Sequence, residues 1–170
     1  MSDTNEGNAP SLTLMPLLQQ GVFRLRQMAE ANLLAECIAS HCPNPRLVIV
    51  GISELIINAI EHGNLGITFD EKSELQANNT WLSEIEHRLN LPENKHKFVE
   101  VAYSRTETEI TMTVTDQGKG FDWKKFEPSP DGHAPKSHGR GIFLAKNLSF
   151  KELYYSGSGN VVTCVIALTK

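Results

Sequence analysis

Ser53-Glu54-Leu55-Ile56-Ile57-Asn58-Ala59-Ile60-Glu61-His62-Gly63 is the stretch on which the reading of this chain turns. It closes a longer run from Pro45 in which Leu47, Val48, Ile49, Val50 and Ile52 continue the apolar pattern. A helix apolar almost all round is buried on most sides. Asn44 is a candidate N-cap, with Pro45 at the first helical position, so the spacing predicts a helix over 45–62. Gly63-Asn64 supplies the stop. Four polar side chains interrupt this apolar cylinder. At about 100° per residue, Glu61 falls about 20° behind Glu54, Asn58 about 40° ahead and His62 about 80° ahead. They share one stripe, and Gly51 lies within it. Two readings are open. The stripe faces water or caps a neighbouring turn, or it lines a pocket for a polar ligand. A buried carboxylate is costly unless something pairs with it.

Outward from that helix, residues 1–19 are polar and lack a period, the signature of a flexible arm. Residues 21–26 read as a short strand. Met28 to His41 reads as a helix with Leu33, Leu34, Cys37 and Ile38 at helical spacing, broken by Cys42-Pro43-Asn44-Pro45. On the far side, Asp70 to Gln76 and Trp81 to Asn90 read as helices, with Thr80 a candidate cap for the second. Phe98 to Tyr103 and Glu109 to Thr115 are strand signals; in the second, Ile110, Met112 and Val114 alternate with threonines. Residues 124–138 read as a long loop, which in a compact domain is functional or disordered. A short helix is expected over 142–148. Leu153-Tyr154-Tyr155 and Val161 to Leu168 form a closing hairpin around 157–160.

The chain has 170 residues, which argues for one domain over 20–170 after the arm. With 40% hydrophobic residues it has material for a core, and no apolar run is long enough to span a membrane. A net charge of -4 leaves no surplus to neutralise phosphates, so no nucleic-acid partner is expected. The three cysteines have no CxxC spacing and suit a reducing compartment. The acidic N-terminus does not resemble a secretory signal. A cytoplasmic domain is the expectation. His41-Cys42 has no partner at metal-ligand spacing.

Two further clusters carry chemistry. In Asp116-Gln117-Gly118-Lys119-Gly120, Asp116 has the parity of Ile110, Met112 and Val114 and so continues the apolar face of its strand. A carboxylate there can accept from a ligand's amino group, and the glycines allow close backbone approach. The alternative is an ordinary Asp-started turn. Gly139-Arg140-Gly141 opens Ile142-Phe143-Leu144-Ala145. Unpaired N–H groups at a helix start suit phosphate; the alternative is a plain flexible helix start. No P-loop pattern is present. The dinucleotide fingerprint fails too, because Trp123 stands where its third glycine belongs.

Taken in order, Glu54-x-x-x-Asn58, Asp116-x-Gly118-x-Gly120 and Gly139-x-Gly141 resemble the N box and the two glycine boxes of the GHKL ATPases. That superfamily includes gyrase, histidine kinases and MutL. The likeness is closest to the bacterial anti-sigma-factor serine kinases, through residues 53–63, Asp116 to Phe121 and Gly139 to Lys146. It covers roughly residues 20–168. The resemblance implies an α+β Bergerat-type two-layer sandwich, a mixed sheet with helices on one face. It implies ATP and Mg²⁺ as cofactors, with Asn58 holding the metal that bridges the phosphates and Glu54 acting as general base. Asp116 would accept from the adenine amino group, and Gly118 and Gly120 would make room beside the base. Residues 124–138 would be the ATP lid, and Gly139, Arg140 and Gly141 would hold phosphates. Two departures stand out. Residues 66–97 are longer than the connection in the smaller anti-sigma kinases, so a different docking surface is expected. Thr163 lies farther from its glycine than the family's threonine; a phosphate or adenine contact is the expectation it carries.

The function implied is an ATP-dependent serine/threonine protein kinase that phosphorylates a small antagonist protein in a partner-switching circuit and also binds a sigma factor or other regulator. Family members often form homodimers. The competing reading is a nucleotide-binding module that sequesters a regulator without phosphotransfer; Glu54 favours the enzyme, since a pure binder needs only Asn58 and Asp116. No H-E-x-x-P-like phosphoacceptor accompanies the domain, which argues against a histidine kinase. A gyrase- or MutL-like ATPase would need a transducer domain for which 170 residues leave no room.

Overall fold

A computed structural model describes residues 14–123 and 149–169. The loop expected over 124–138, Gly139, Arg140, Gly141, the helix expected over 142–148 and the first 13 residues of the expected arm lie outside the described residues. The strands are β1 (Gln20–Leu25), β2 (Val99–Arg105), β3 (Glu109–Thr115), β4 (Glu152–Ser156) and β5 (Val161–Ala167). The α-helices are α1 (Met28–Ala39), α2 (Pro45–Asn58), α3 (Phe69–Ala77) and α4 (Trp81–Asn90).

Strand alternation sets the layers. In β3, Ile110, Met112 and Val114 are buried while the threonines between them are half-buried on the opposite face. Val99, Val101 and Tyr103 of β2 and Val162, Cys164 and Ile166 of β5 join the same core. Ile38 of α1 and Ile52, Leu55 and Ile56 of α2 close it from the helical side. The result is the expected α+β two-layer arrangement. The sheet, however, is antiparallel rather than mixed among the described residues, in the order β1-β2-β3-β5-β4. Parallel neighbours need a long crossover connection, whereas β2–β3 and β4–β5 are hairpins. β3 and β4 do run the same way, but β5 lies between them and pairs antiparallel with both.

Helix ends follow local chemistry. Glu30 accepts from the backbone N–H groups of Arg26 (2.7 Å) and Gln27 (2.8 Å), which holds the start of α1. α1 ends at Ala39, two residues before the expected His41. Asn44 occupies the N-cap of α2 without a side-chain cap bond. Thr80 likewise does not cap α4; its hydroxyl donates to the Leu75 carbonyl instead (3.4 Å). Thr68 caps α3, accepting from Glu71 N–H at 3.2 Å. The expected loose arm also ends early, because Met15 is buried in the core.

Candidate functional site

A cleft opens between the end of α2 and the ends of β3, β4 and β5. It encloses about 80 Å³ and opens to solvent, and its wall includes Asn58, His62, Phe69, Asp116, Gly120 and Tyr155. α2 reaches it because Leu55 and Ile56 anchor the helix to the sheet and leave Asn58 half-buried at the rim. Among the described residues the Asn58 side chain makes no hydrogen bond.

Asp116 forms the polar floor, 9% exposed just beyond β3. Its Oδ1 accepts from Gly118 N–H at 2.8 Å, and its own N–H donates to the Asn160 carbonyl at 3.0 Å. Oδ2 has no partner among the described residues. Burial pushes the Asp116 carboxyl above its ordinary value; the Gly118 N–H and the Lys97 cation oppose that shift. Tyr155 closes one wall, its phenol pushed up by burial and by the Asp116 charge. Its ring meets Phe121 edge-on at 5.2 Å and stacks on Trp123 at 6.2 Å.

The glycines expected to make room for a base make room first for the protein. A Cβ on Gly118 would lie 2.2 Å from the Gly63 carbonyl oxygen, and one on Gly63 would lie 2.3 Å from the Asp116 Cγ. The loop after β3 therefore sits directly against the end of the long helix. Asn64 locks that contact: its Oδ1 accepts from Gln117 N–H at 2.7 Å, and its carbonyl accepts from Lys97 Nζ at 2.8 Å. Gly120 lines the cleft and has φ +75, a conformation other residues adopt rarely.

The single polar stripe read along 45–62 is divided by a change of helix type. After Asn58 the chain runs as a π-helical turn, Ala59–Asn64, in which Leu65 N–H donates back five residues to the Ile60 carbonyl at 3.0 Å. The wider turn advances each residue through a smaller angle, so the α-helical projection fails beyond Asn58. Glu61 leaves the stripe. It is 0% exposed and accepts from Lys72 Nζ at 2.6 Å and Trp81 Nε1 at 2.5 Å. The two helices of residues 66–97 are thus fastened to the end of α2. Arg88 extends the fastening, donating to the Leu65 carbonyl at 3.2 Å and pairing with Glu71 and Glu84. His62 stays at the cleft. Its Nδ1 lies 2.5 Å from the Ile67 carbonyl and its ring packs on Phe69 at 4.1 Å.

Of the sequence-derived site residues, Asn58, Asp116 and Gly120 line the cleft, and Gly118 lines the polar groove beside it. Glu54 lies one turn before Asn58 on α2, half-buried and outside the cleft wall, without a hydrogen bond or ion pair among the described residues. Thr163 is displaced from the expected contact. It pairs with Thr113 across β3 and β5, and the two hydroxyls lie 3.0 Å apart on the face opposite the helices. Val162, of the other parity, faces the cleft instead. Tyr155, Asn160 and Phe69 were not singled out from sequence. Parity within β4 is the one signal that separates Tyr155 from the exposed Tyr154.

Among the described residues no group of three or more His, Cys, Asp or Glu is placed to hold a metal ion. A lone amide such as Asn58 suits a Mg²⁺ held mainly by phosphates and water. No described helix is long and apolar enough to cross a membrane. The family model of the histidine kinase-like ATPase domain matches residues 22–166. No curated protein matches the chain significantly.

Proposed function

The chain belongs to the histidine kinase-like ATPase family, and from that premise we propose that it is an ATP-dependent serine/threonine protein kinase of the anti-sigma-factor type. The observation that carries the reading is the convergence of Asn58 and Asp116 on one cleft, with Glu54 a turn earlier on the same helix. Asp116 accepts from the adenine amino group through the oxygen that Gly118 leaves free. Asn58 would offer its amide oxygen to a Mg²⁺ ion held mainly by the nucleotide and water, and the ion would supply charge neutralisation there. Glu54 takes the proton from an acceptor hydroxyl as that oxygen attacks the terminal phosphorus and ADP leaves. The acceptor is a serine or threonine of a small antagonist protein, and a sigma factor or similar regulator competes for the same chain. Homodimerisation accompanies this role.

The second reading is a nucleotide-binding module that sequesters a regulator without phosphotransfer. It is favoured by the position of Glu54 outside the cleft wall. Catalytic contacts often tighten only in the complex, so this does not remove Glu54 as base. Capture of partners from cell extract in Mg-ATP, followed by phosphosite mapping, separates the two. A retained small protein that gains phosphoserine or phosphothreonine with wild type and not with Glu54→Gln supports the kinase. Retention with no phosphate in either sample supports the module.

A further inference from the structure

Two buried side-chain polar atoms among the described residues lack a hydrogen-bond partner, Ser53 Oγ and His62 Nε2. Only the second belongs to a residue that lines the cleft. The imidazole is held firmly by the chain around it. Nδ1 lies 2.5 Å from the Ile67 carbonyl oxygen, which can only accept, so Nδ1 carries the proton. Ile67 N–H in turn donates to the Glu61 carbonyl at 2.9 Å, and the Phe69 ring packs on the imidazole. Burial lowers the affinity of the ring for a second proton, with the Lys72 charge adding to the effect and Glu61 and the Ile67 carbonyl opposing it. The Ile67 contact thus holds the ring as the Nδ1–H tautomer, which leaves Nε2 a bare acceptor on a residue of the cleft wall.

An unpaired buried acceptor costs free energy that a ligand with a matching donor recovers. Next along the chain, Gly63 packs against Asp116, whose Oδ2 is also unpaired among the described residues. His62 and Asp116, each with an unpaired acceptor among the described residues, thus line one cleft from two different elements. An exocyclic amine has two N–H groups to give, whereas a carbonyl at the same position would meet two acceptors. We infer that His62 Nε2 is a specificity-determining acceptor for the base of the bound nucleotide, acting beside Asp116 to select a 6-amino purine over a 6-oxo purine. This rests on the nucleotide reading above. It also gives residues 66–69 a task, since Ile67 and Phe69 fix the tautomer and orientation of the ring.

The test measures affinity of the full chain for ATP and for inosine triphosphate in Mg²⁺, with thermal melts to establish folding. Three variants divide the contributions of His62. His62→Asn keeps a donor for the Ile67 carbonyl and removes the acceptor. His62→Phe keeps the ring and removes both polar atoms. His62→Gln places an amide oxygen near the position of Nε2. Wild type is expected to prefer ATP. His62→Asn and His62→Phe should lose about three- to tenfold in ATP affinity and narrow the ratio between the nucleotides, whereas His62→Gln should keep most of the ratio. An unchanged ratio in folded His62→Asn and His62→Phe overturns the proposal and leaves nucleotide binding standing. A folded His62→Gln that behaves like His62→Phe overturns it too, since packing of the ring would then be what counts. Wild type that binds neither nucleotide removes the underlying reading, and this inference with it.

Discussion

Glu54 and Glu61 lie seven residues apart on one continuous helical run, and they meet opposite fates. Glu54, in the α-helical body, is half-buried and free of partners among the described residues. Glu61, in the π-helical turn, is sealed from solvent between Lys72 and Trp81. Identical side chains on one nominal stripe have become a group available for chemistry and a rivet for the next two helices. The difference comes from backbone geometry and from residues 11 and 20 positions further on, not from the carboxylates themselves.

Removing each carboxylate should expose that asymmetry most strongly. Glu61→Ala leaves a void, an unpaired Lys72 and an indole N–H without its acceptor, and should cost about 3 kcal/mol of folding stability. Lys72 remains partly exposed and can turn to water, which keeps the loss from being larger. Glu54→Ala should change stability by no more than about 0.5 kcal/mol, as for a side chain without such contacts. Urea unfolding of both variants measures this; equal losses would erase the contrast.

At the site itself, Asp116→Asn should weaken ATP by about 1.5–3 kcal/mol, the range for a hydrogen bond to a charged group, while Glu54→Gln should leave ATP affinity nearly unchanged. Titration of both with Mg-ATP checks it. Glu54→Gln should instead abolish phosphate transfer. Gly63→Ala tests the contact between the two regions. Its methyl would overlap Asp116, so it should cost about 1–3 kcal/mol of stability and weaken ATP as well, again read by unfolding and titration.

The smallest effect is on pH dependence. His62 has its folded value lowered from an ordinary 6.5 by burial, so the unfolded chain takes up its proton first. The stability this group contributes is full above pH 6.5 and is lost as pH falls below it towards the folded value. Glu61 and Lys72 are the charged groups set against it. Asp116, raised by burial from 3.8, has the opposite sign: its contribution is present below 3.8 and lost as pH rises through the folded value. His62→Phe should flatten the stability curve just below pH 6.5; an unchanged slope would assign it to other groups.

How much of this was legible varies with the range of the interaction involved. α2 and β3 could be read because burial imposes periods of 3.6 and 2 on neighbouring residues, and Asp116 inherited its place from Ile110, Met112 and Val114. The π-helical turn could not, since Ala59 to Asn64 has a composition that suits either helix type. The fate of Glu61 depended on that turn and on distant Lys72 and Trp81. Sheet direction was read through the resemblance, and the hairpins correct it to antiparallel. The face of Thr163 is not legible from parity, because Val161 and Val165 on its side are as apolar as Val162, Cys164 and Ile166 on the other, and β5 is buried on both faces.

In the reading proposed above, the cleft between Asn58 and Asp116 binds an adenine nucleotide. Calorimetry on nucleotide-stripped protein addresses it directly. Saturable one-site binding of Mg-ATP is expected, weakened at least tenfold in Asp116→Asn and near wild type in Glu54→Gln. Absence of binding at millimolar Mg-ATP, or equal affinity in Asp116→Asn and wild type, would contradict it.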